Sequence, residues 1–159
     1  MARDLGKGGI DVTLIPDSAV YPMMARVNKV IISTNKVMSN GGLIALSGVL
    51  NVALAAKANS VPVVCLAGLY KLSPIHPHEK DEFIDMVSPS FVLNDMDATT
   101  PCMKNVAVNN PLFDYVGPEL VDLFLTNAGG HPPSYIYKLL NEYYSPEDTD
   151  FNVPTNDEP

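Results

Sequence analysis

Two uninterrupted apolar runs constrain the fold of this chain more than any other feature of its sequence. Residues 29–33 (KVIIS) and 61–68 (VPVVCLAG) are rich in β-branched side chains, which is typical of strands covered on both faces. Between them, a turn at residues 40–42 (NGG) precedes residues 43–58, which we predict to form one helix that is apolar nearly all round. This order of strand, helix and strand predicts an α/β fold with a Rossmann-like parallel sheet and flanking helices.

The other predicted elements lie on both sides of this unit. Residues 10–15 (IDVTLI) form a predicted first strand that is closed by a proline, and residues 18–27 form a short helix. In the second half, the predicted elements are a short strand at 106–108, a helical turn at 118–120, a strand at 123–126 and a closing helix from 132 to 144.

The chain is predicted to form one domain followed by a polar tail. Its 159 residues suit a single hydrophobic core, which we assign to residues 1–148. Residues 71–100 form a Pro-rich, acidic excursion with a predicted helical turn at 78–86, and the excursion is too long for a simple loop between a strand and a helix. Residues 149–159 form an acidic tail that we expect to be disordered.

Composition argues against several classes of protein. The net charge of -8 and the isoelectric point near 4.6 oppose direct binding to nucleic-acid phosphates. Two cysteines, Cys65 and Cys102, suggest neither a disulfide framework nor a zinc site, and His76 and His78 flank a proline in a loop, so no metal is expected. Residues 37–56 carry no charge, but Ser, Asn and Gly interrupt them, which favours a buried helix over a membrane span. The sequence shows no apolar leader, and we expect a cytosolic protein.

Four segments of the chain together resemble one known family. They are NKVII at 28–32, NGGLIALSGVLNVALAAK at 40–57, VPVVCLAGLYKLSP at 61–74, and NPLFDYVGPELVDLFLTNAGGHPPSYIYKLL at 110–140. These segments resemble the alpha, beta and delta regulatory subunits of eukaryotic translation initiation factor 2B, a family related to methylthioribose-1-phosphate isomerase. The segments YKLSP at 70–74 and PSYIYKL at 133–139 point to the beta branch, and the resemblance covers about residues 1–148.

The resemblance implies a regulatory and non-catalytic role without a cofactor. In that family the beta branch pairs with delta and joins alpha in a regulatory core. The core contacts the gamma and epsilon subunits of the guanine nucleotide exchange factor for translation initiation factor 2. It senses initiation factor 2, including the form that is phosphorylated on serine. The chain is therefore expected to bind protein partners and to bind neither nucleic acid nor a membrane.

The isomerases of the wider family supply the alternative function, which is aldose-phosphate isomerisation. By resemblance, these enzymes carry an Asp directly after the Asn-Gly of the turn, a second Asp earlier in the chain and an Asn that contacts the substrate. This chain has Gly42, Asn35 and Ala45 at the corresponding positions, and a glycine has no proton to transfer between sugar carbons. The resemblance thus implies that the fold is kept without the catalytic groups. A small-molecule sensor is a third hypothesis.

Candidate site residues lie in the same segments. Asn40, Gly41 and Gly42 could bind an anion at a helix start, or they could form a turn that needs a positive φ, and both interpretations stay open. The candidate subunit-contact residues are Leu46, Leu50, Phe113, Tyr115, Glu119, Tyr135 and Tyr137. Core packing is the alternative explanation for Phe113 and for part of the aromatic face of the closing helix.

The resemblance also implies an incomplete sheet. It places residues 1–10 (MARDLGKGGI) inside a helix that follows two earlier strands, so a helical N-terminal domain and the first strands are expected to be missing. An apolar strand edge would then be unpaired. The isolated chain is therefore expected to self-associate or to need partners.

Overall fold

A four-stranded mixed sheet forms the centre of the computed structural model, which describes residues 1–77, 85–93 and 105–145. Its strands, in spatial order, are β1 (Val30–Ser33), β4 (Val63–Leu66), β6 (Leu123–Thr126) and β7 (Gly129–His131). β1, β4 and β6 run parallel, and β7 returns antiparallel to β6. β1 is therefore an edge strand in the described part of the chain.

A second sheet contains three antiparallel strands. Their spatial order is β2 (Lys36–Val37), β3 (Leu43–Leu46) and β5 (Phe113–Val116). β2 and β3 form a hairpin, in which the N–H of Met38 donates to the carbonyl oxygen of Gly42 at 2.8 Å. β3 also pairs with β5 along its full length. The turn at residues 40–42 is thus the tip of a β-hairpin.

Four helices occur in the described ranges. They are α1 (Ala2–Lys7), α2 (Val20–Met24), α3 (Val49–Ala58) and α4 (Ile136–Tyr143). α4 continues from the 3-10 turn Pro133–Tyr135, where the proline occupies a position at which its missing N–H is tolerated. Its residues Ile136, Leu139 and Leu140 share one face and are buried. α1 has no buried residue.

The main hydrophobic core joins both sheets, α3 and α4. Its largest fully buried side chains from the strands are Val37 on β2, Leu43 on β3, Val116 on β5 and Phe124 on β6. A second, smaller cluster packs α2 against α3 and the start of β1 and β4, and it includes Met24, Val30, Ala56 and Val63. Both clusters lie on one side of the four-stranded sheet.

The opposite face of that sheet is apolar and partly open, although Val64 in its middle is only 6% exposed. The strand registers align Ile31 with Val64 and Leu123, and Ser33 with Leu66 and Leu125. Ile31 is 64% exposed, and Leu66 and Leu125 are 47% and 43% exposed. Parallel sheets are normally covered on both faces, so this face is unusual for an isolated α/β unit.

The helix predicted at residues 43–58 is correct only in its second part. Residues Leu43–Leu46 form β3, and the helix begins at Val49. Gly48 has φ of 100°, a left-handed conformation that a continuous helix does not permit. A short run of apolar residues is compatible with a buried helix and equally with a central strand of a sheet. The periodicity of the sequence alone therefore could not distinguish a helix from a strand here.

Two predicted strands are wrong. Residues 10–15 have no regular secondary structure and belong to no sheet, and Leu14 is 81% exposed. Residues 106–108 are also irregular. A strand needs a neighbour for its backbone hydrogen bonds, and within the described residues neither segment is paired. Of the predicted helical turn at 78–86, residues 78–84 lie outside the described residues and Met86 forms a bridge to Pro111, while the tail at 149–159 lies wholly outside them.

The predicted α/β class is confirmed, with a sheet that is mixed where a parallel one was expected. The strands predicted within 29–33, 61–68 and 123–126, the helices within 18–27 and 132–144, and the turn at 118–120 are all present. No helix among the described residues has both the length and the apolar character needed to span a membrane.

Candidate functional site

The tip of the β2–β3 hairpin is held by its own polar groups. The side-chain oxygen Oδ1 of Asn40 accepts the N–H of Gly42 at 2.9 Å, and the N–H of Gly41 donates to the carbonyl oxygen of Met38 at 2.9 Å. Gly41 has φ of 82° and is buried with Gly42. The positive φ confirms the interpretation of this segment as a turn that requires glycine.

Two neighbouring elements enclose the hairpin tip. The Tyr115 hydroxyl on β5 accepts a hydrogen bond from Nδ2 of Asn40 at 2.9 Å. A methyl group built on Gly42 would lie 2.5 Å from that hydroxyl oxygen, and one built on Gly41 would lie 2.5 Å from the carbonyl oxygen of Pro133. The Tyr115 ring therefore occupies the space that a side chain at position 42 would need.

The nearby start of α3 is capped by the chain itself. The carboxylate of Asp114 accepts the N–H of Gly48 at 2.6 Å and the N–H of Leu50 at 3.3 Å, and it lies 3.4 Å from the Ser47 hydroxyl. These N–H groups belong to the helix start, where an anion would otherwise bind. Asp114 thus supplies the negative charge from within the protein.

The prediction of an anion site at residues 40–42 is wrong in its geometry. It assumed that the turn opens a helix, but the turn joins two strands and α3 begins only at Val49. The N–H groups of Gly41 and Gly42 are already donated to Met38 and to Asn40. The turn therefore serves to close the hairpin against Tyr115 and Pro133.

Leu46 and Leu50, which the sequence places on one predicted helix, lie on two different elements. Leu46 is the last residue of β3, 56% exposed, and it pairs with Phe113 on β5. Leu50 is on α3, half-buried, and packs against the main core. Phe113 is half-buried. Of this group, Leu46 offers the largest exposed fraction to a partner.

The other predicted contact residues fall into two places. Glu119 is exposed in the 3-10 turn Pro118–Leu120, with its carboxylate folded back over Gly117. Tyr135 is half-buried, where its ring stacks on the His131 imidazole with centroids 5.1 Å apart. Tyr137 is 63% exposed on α4. The aromatic face of α4 thus divides into a packed part at Tyr135 and an exposed part at Tyr137.

Some features of the site gave no signal in the sequence. The Asp114 cap joins residues more than sixty positions apart, as does the hydrogen bond from Asn40 to Tyr115. The ammonium group of Lys71 donates to the carbonyl oxygen of Thr34 at 2.5 Å, and this contact ties the ends of β1 and β4 together. Such long-range pairs depend on the tertiary fold, which a local pattern does not encode.

Comparison with known proteins agrees with this architecture. The family model described as the initiation factor 2 subunit family matches residues 1–133. Translation initiation factor eIF2B subunit beta of Dictyostelium discoideum is 55% identical over 147 residues, which are 92% of this chain and 37% of that protein. The similarity to the beta branch that the sequence predicted is therefore confirmed. The chain spans little more than a third of that relative's length.

Two solved structures are similar in fold. The crystal structure of eIF2B beta from Chaetomium thermophilum has a TM-score of 0.71 and 29% identity, covering 94% of this chain and 38% of that one. The crystal structure of 5-methylthioribose 1-phosphate isomerase from Pyrococcus horikoshii OT3 has a TM-score of 0.75 and 26% identity, covering 90% of this chain and 41% of that one. One scaffold is thus shared by proteins named as factor subunits and as enzymes. On the evidence of the matching model and these relatives, the chain belongs to the initiation factor 2 subunit family.

Proposed function

We propose that this chain acts as a regulatory, non-catalytic part of the guanine nucleotide exchange factor for translation initiation factor 2. The observation that carries the proposal is the closed hairpin tip, where the Tyr115 ring fills the space beside Gly42. An aldose-phosphate isomerase needs a positioned acid or base next to its substrate. Here that position has no side chain, and the Tyr115 ring occupies the space where one would lie.

The proposed role is to bind other subunits and, through them, initiation factor 2. We place its partners among the delta, alpha, gamma and epsilon subunits, and its compartment in the cytosol. Among the apolar and aromatic residues proposed for contact, Leu46 and Tyr137 are the ones with exposed side chains. Tyrosine is enriched at protein interfaces because its ring is apolar and its hydroxyl is polar.

The proposed mechanism is a shift between arrangements of the regulatory core. A partner that binds one arrangement more tightly than another changes their populations, and the exchange site responds at a distance. Phosphorylated initiation factor 2 would be such a partner. In this mechanism the chain binds partners with an affinity that differs between the arrangements of the regulatory core. It catalyses no chemical step itself.

Co-expression with a delta subunit tests the proposal. We expect the two chains to elute together in size-exclusion chromatography, and Tyr137→Asp to weaken the association. Tyr21→Asp is a matched control, because Tyr21 is also 63% exposed but lies on α2. Separate elution of the unmodified chain would refute the proposed role, and equal loss with both variants would refute the assignment of Tyr137.

Isomerase activity is the second candidate, and the similarity to the Pyrococcus horikoshii isomerase structure favours it. A coupled assay with methylthioribose 1-phosphate separates the two functions. The proposed function predicts no turnover above the rate without protein. A rate that depends on this chain and disappears in the Asn40→Ala variant would favour the enzyme instead.

A further inference from the structure

Three Ser-Pro dipeptides occur in the sequence, at Ser73, Ser88 and Ser145, and their surroundings differ. Ser73 is 8% exposed, and its N–H donates to the carbonyl oxygen of Val37 at 2.8 Å. Ser88 is exposed, and so is the proline after it. Ser145 is exposed as well, but its proline lies outside the described residues. Ser88 is thus the described Ser-Pro site at which both residues are accessible.

The local conformation of Ser88 leaves its hydroxyl near the surface. Its Oγ lies 2.7 Å from the hydroxyl of Ser90 and 3.4 Å from the N–H of Ser90, an equally exposed residue. Its backbone has φ of -51° and ψ of 129°, and the residues after it form the 3-10 turn Pro89–Phe91. Its carbonyl oxygen accepts Nδ2 of Asn110 at 2.9 Å, which holds the segment on the outside of the molecule. A proline-directed kinase needs an accessible serine and an accessible proline after it, and Ser88 and Pro89 are both exposed.

We propose that Ser88 is a phosphorylation site for a proline-directed protein kinase. The co-substrate is a nucleoside triphosphate with its magnesium ion, bound by the kinase. The Ser88 Oγ attacks the γ-phosphorus, the new O–P bond forms as the bond to the nucleoside diphosphate breaks, and the hydroxyl proton passes to a carboxylate of the kinase. The product carries about -1.5 to -2 charges at neutral pH.

The phosphate would stand at the rim of an apolar groove. The groove has a volume of about 360 Å³ and is lined by Leu46, Ser47, Val87, Phe91, Asn110, Pro111 and Leu112. Phe91 is 86% exposed. Val87 precedes Ser88 in the chain, and Asn110 donates a hydrogen bond to the Ser88 carbonyl oxygen. A dianion beside these side chains disfavours contact with an apolar partner, because its charge would have to be desolvated.

Incubation of the purified chain with a proline-directed serine/threonine kinase and ATP tests the proposal, with tandem mass spectrometry as the readout. We expect a phosphate on Ser88 that is absent in Ser88→Ala and largely lost in Pro89→Ala. The Ser73→Ala variant is the control and should be modified at Ser88 as fully as the parent.

Because Ser88 and Pro89 are exposed, the Ser88→Ala and Pro89→Ala variants should melt close to the parent's temperature, which circular dichroism checks. An unmodified Ser88 in the folded chain would overturn the proposal. So would equal modification of the Pro89→Ala variant, since the site would then not be proline-directed. Neither result depends on the proposed association with other subunits.

Discussion

At the scale of single residues, the two glycines of the hairpin tip lie in close contact with Pro133 and Tyr115. Gly41 needs a left-handed φ and faces the Pro133 carbonyl, while Gly42 has an ordinary φ and faces the Tyr115 ring. Gly48 is the opposite case, because its φ is 100° but nothing lies within 4 Å of a built methyl group. Substitution of Gly42 therefore tests steric overlap alone, and substitution of Gly48 tests backbone strain alone.

Substitution of Gly42 by Ala should lower the free energy of unfolding by about 2 kcal/mol or more, because the added methyl overlaps the Tyr115 ring. Gly48→Ala should cost only about 1 kcal/mol, the strain of a left-handed φ. Gly6→Ala in α1 is the control with neither effect. Urea titration measures all three.

Removal of the ring supplies the internal test of that prediction. In a Tyr115→Ala background, the cost of Gly42→Ala should fall by at least about 1 kcal/mol, since the two residues are in contact. Additive costs would show that the destabilisation comes from another source.

The buried Cys65 thiol leads to a prediction about alkaline pH. Burial raises the pKa of Cys65 from 9.0 to about 12, partly opposed by the positive charge of Lys71. Above about pH 9 the unfolded chain loses the thiol proton while the folded chain keeps it, so stability falls as pH rises. The decline should be about 1 kcal/mol per pH unit.

Comparison with Cys65→Ala isolates this contribution from other groups that titrate at alkaline pH. The parent should lose stability relative to the variant between about pH 9 and about pH 12. Parallel curves for the two proteins in denaturant titrations would contradict the assignment of a raised pKa to this thiol.

At the scale of elements, the sequence predicted what depends on local pattern. Short stretches of sequence were enough to predict β1, β4 and β6, because each is an apolar run of a few residues. The turn at 133–135 was likewise predicted from the proline that opens it. The apolar stripe across residues 43–58 predicts a helix at Leu43–Leu46, but these residues pair with β2 and β5 instead. Residues 10–15 have a strand-like sequence but no strand beside them in the described chain. A sequence pattern shows that a segment favours the strand conformation, but a strand forms only where another strand is available for hydrogen bonding.

The start of α3 is an element-scale feature that mutation can test. Asp114→Ala removes the carboxylate that accepts the N–H groups of Gly48 and Leu50, and it should cost about 1 to 2 kcal/mol of unfolding free energy. Asp114→Asn keeps one acceptor oxygen and should cost less. Asp11→Ala, at an exposed position, is the control. Equal stability of Asp114→Ala and the parent in thermal melts would exclude the capping role.

At the scale of the whole molecule, the open face and the edge strand β1 determine behaviour in solution. The resemblance implies an unpaired strand edge, and in the described residues β1 has a neighbouring strand on one side only. Separately, Ile31, Leu66 and Leu125 expose apolar side chains on the open face. The closed hairpin tip could not have been predicted, since Asn40 and Tyr115 are seventy-five positions apart. The fold class was within reach of the sequence, whereas the contacts that close the site were not.

Self-association of the isolated chain should be reduced by a charge on the open face. Ile31→Lys places an ammonium group on the edge strand, where an incoming strand or apolar surface would have to desolvate it. Leu54→Lys on α3, at a residue that is 49% exposed, is the matched control. Light scattering should show smaller species for Ile31→Lys only, and a monomeric parent chain would contradict the prediction.

The central claim is that this scaffold binds partners, and affinity capture from cytosolic extract tests it most directly. The tagged chain, quantified by mass spectrometry against a tag-only control, should retain the other exchange-factor subunits in near-equal amounts, together with initiation factor 2. Recovery of the chain with none of these proteins above the control level would contradict the account.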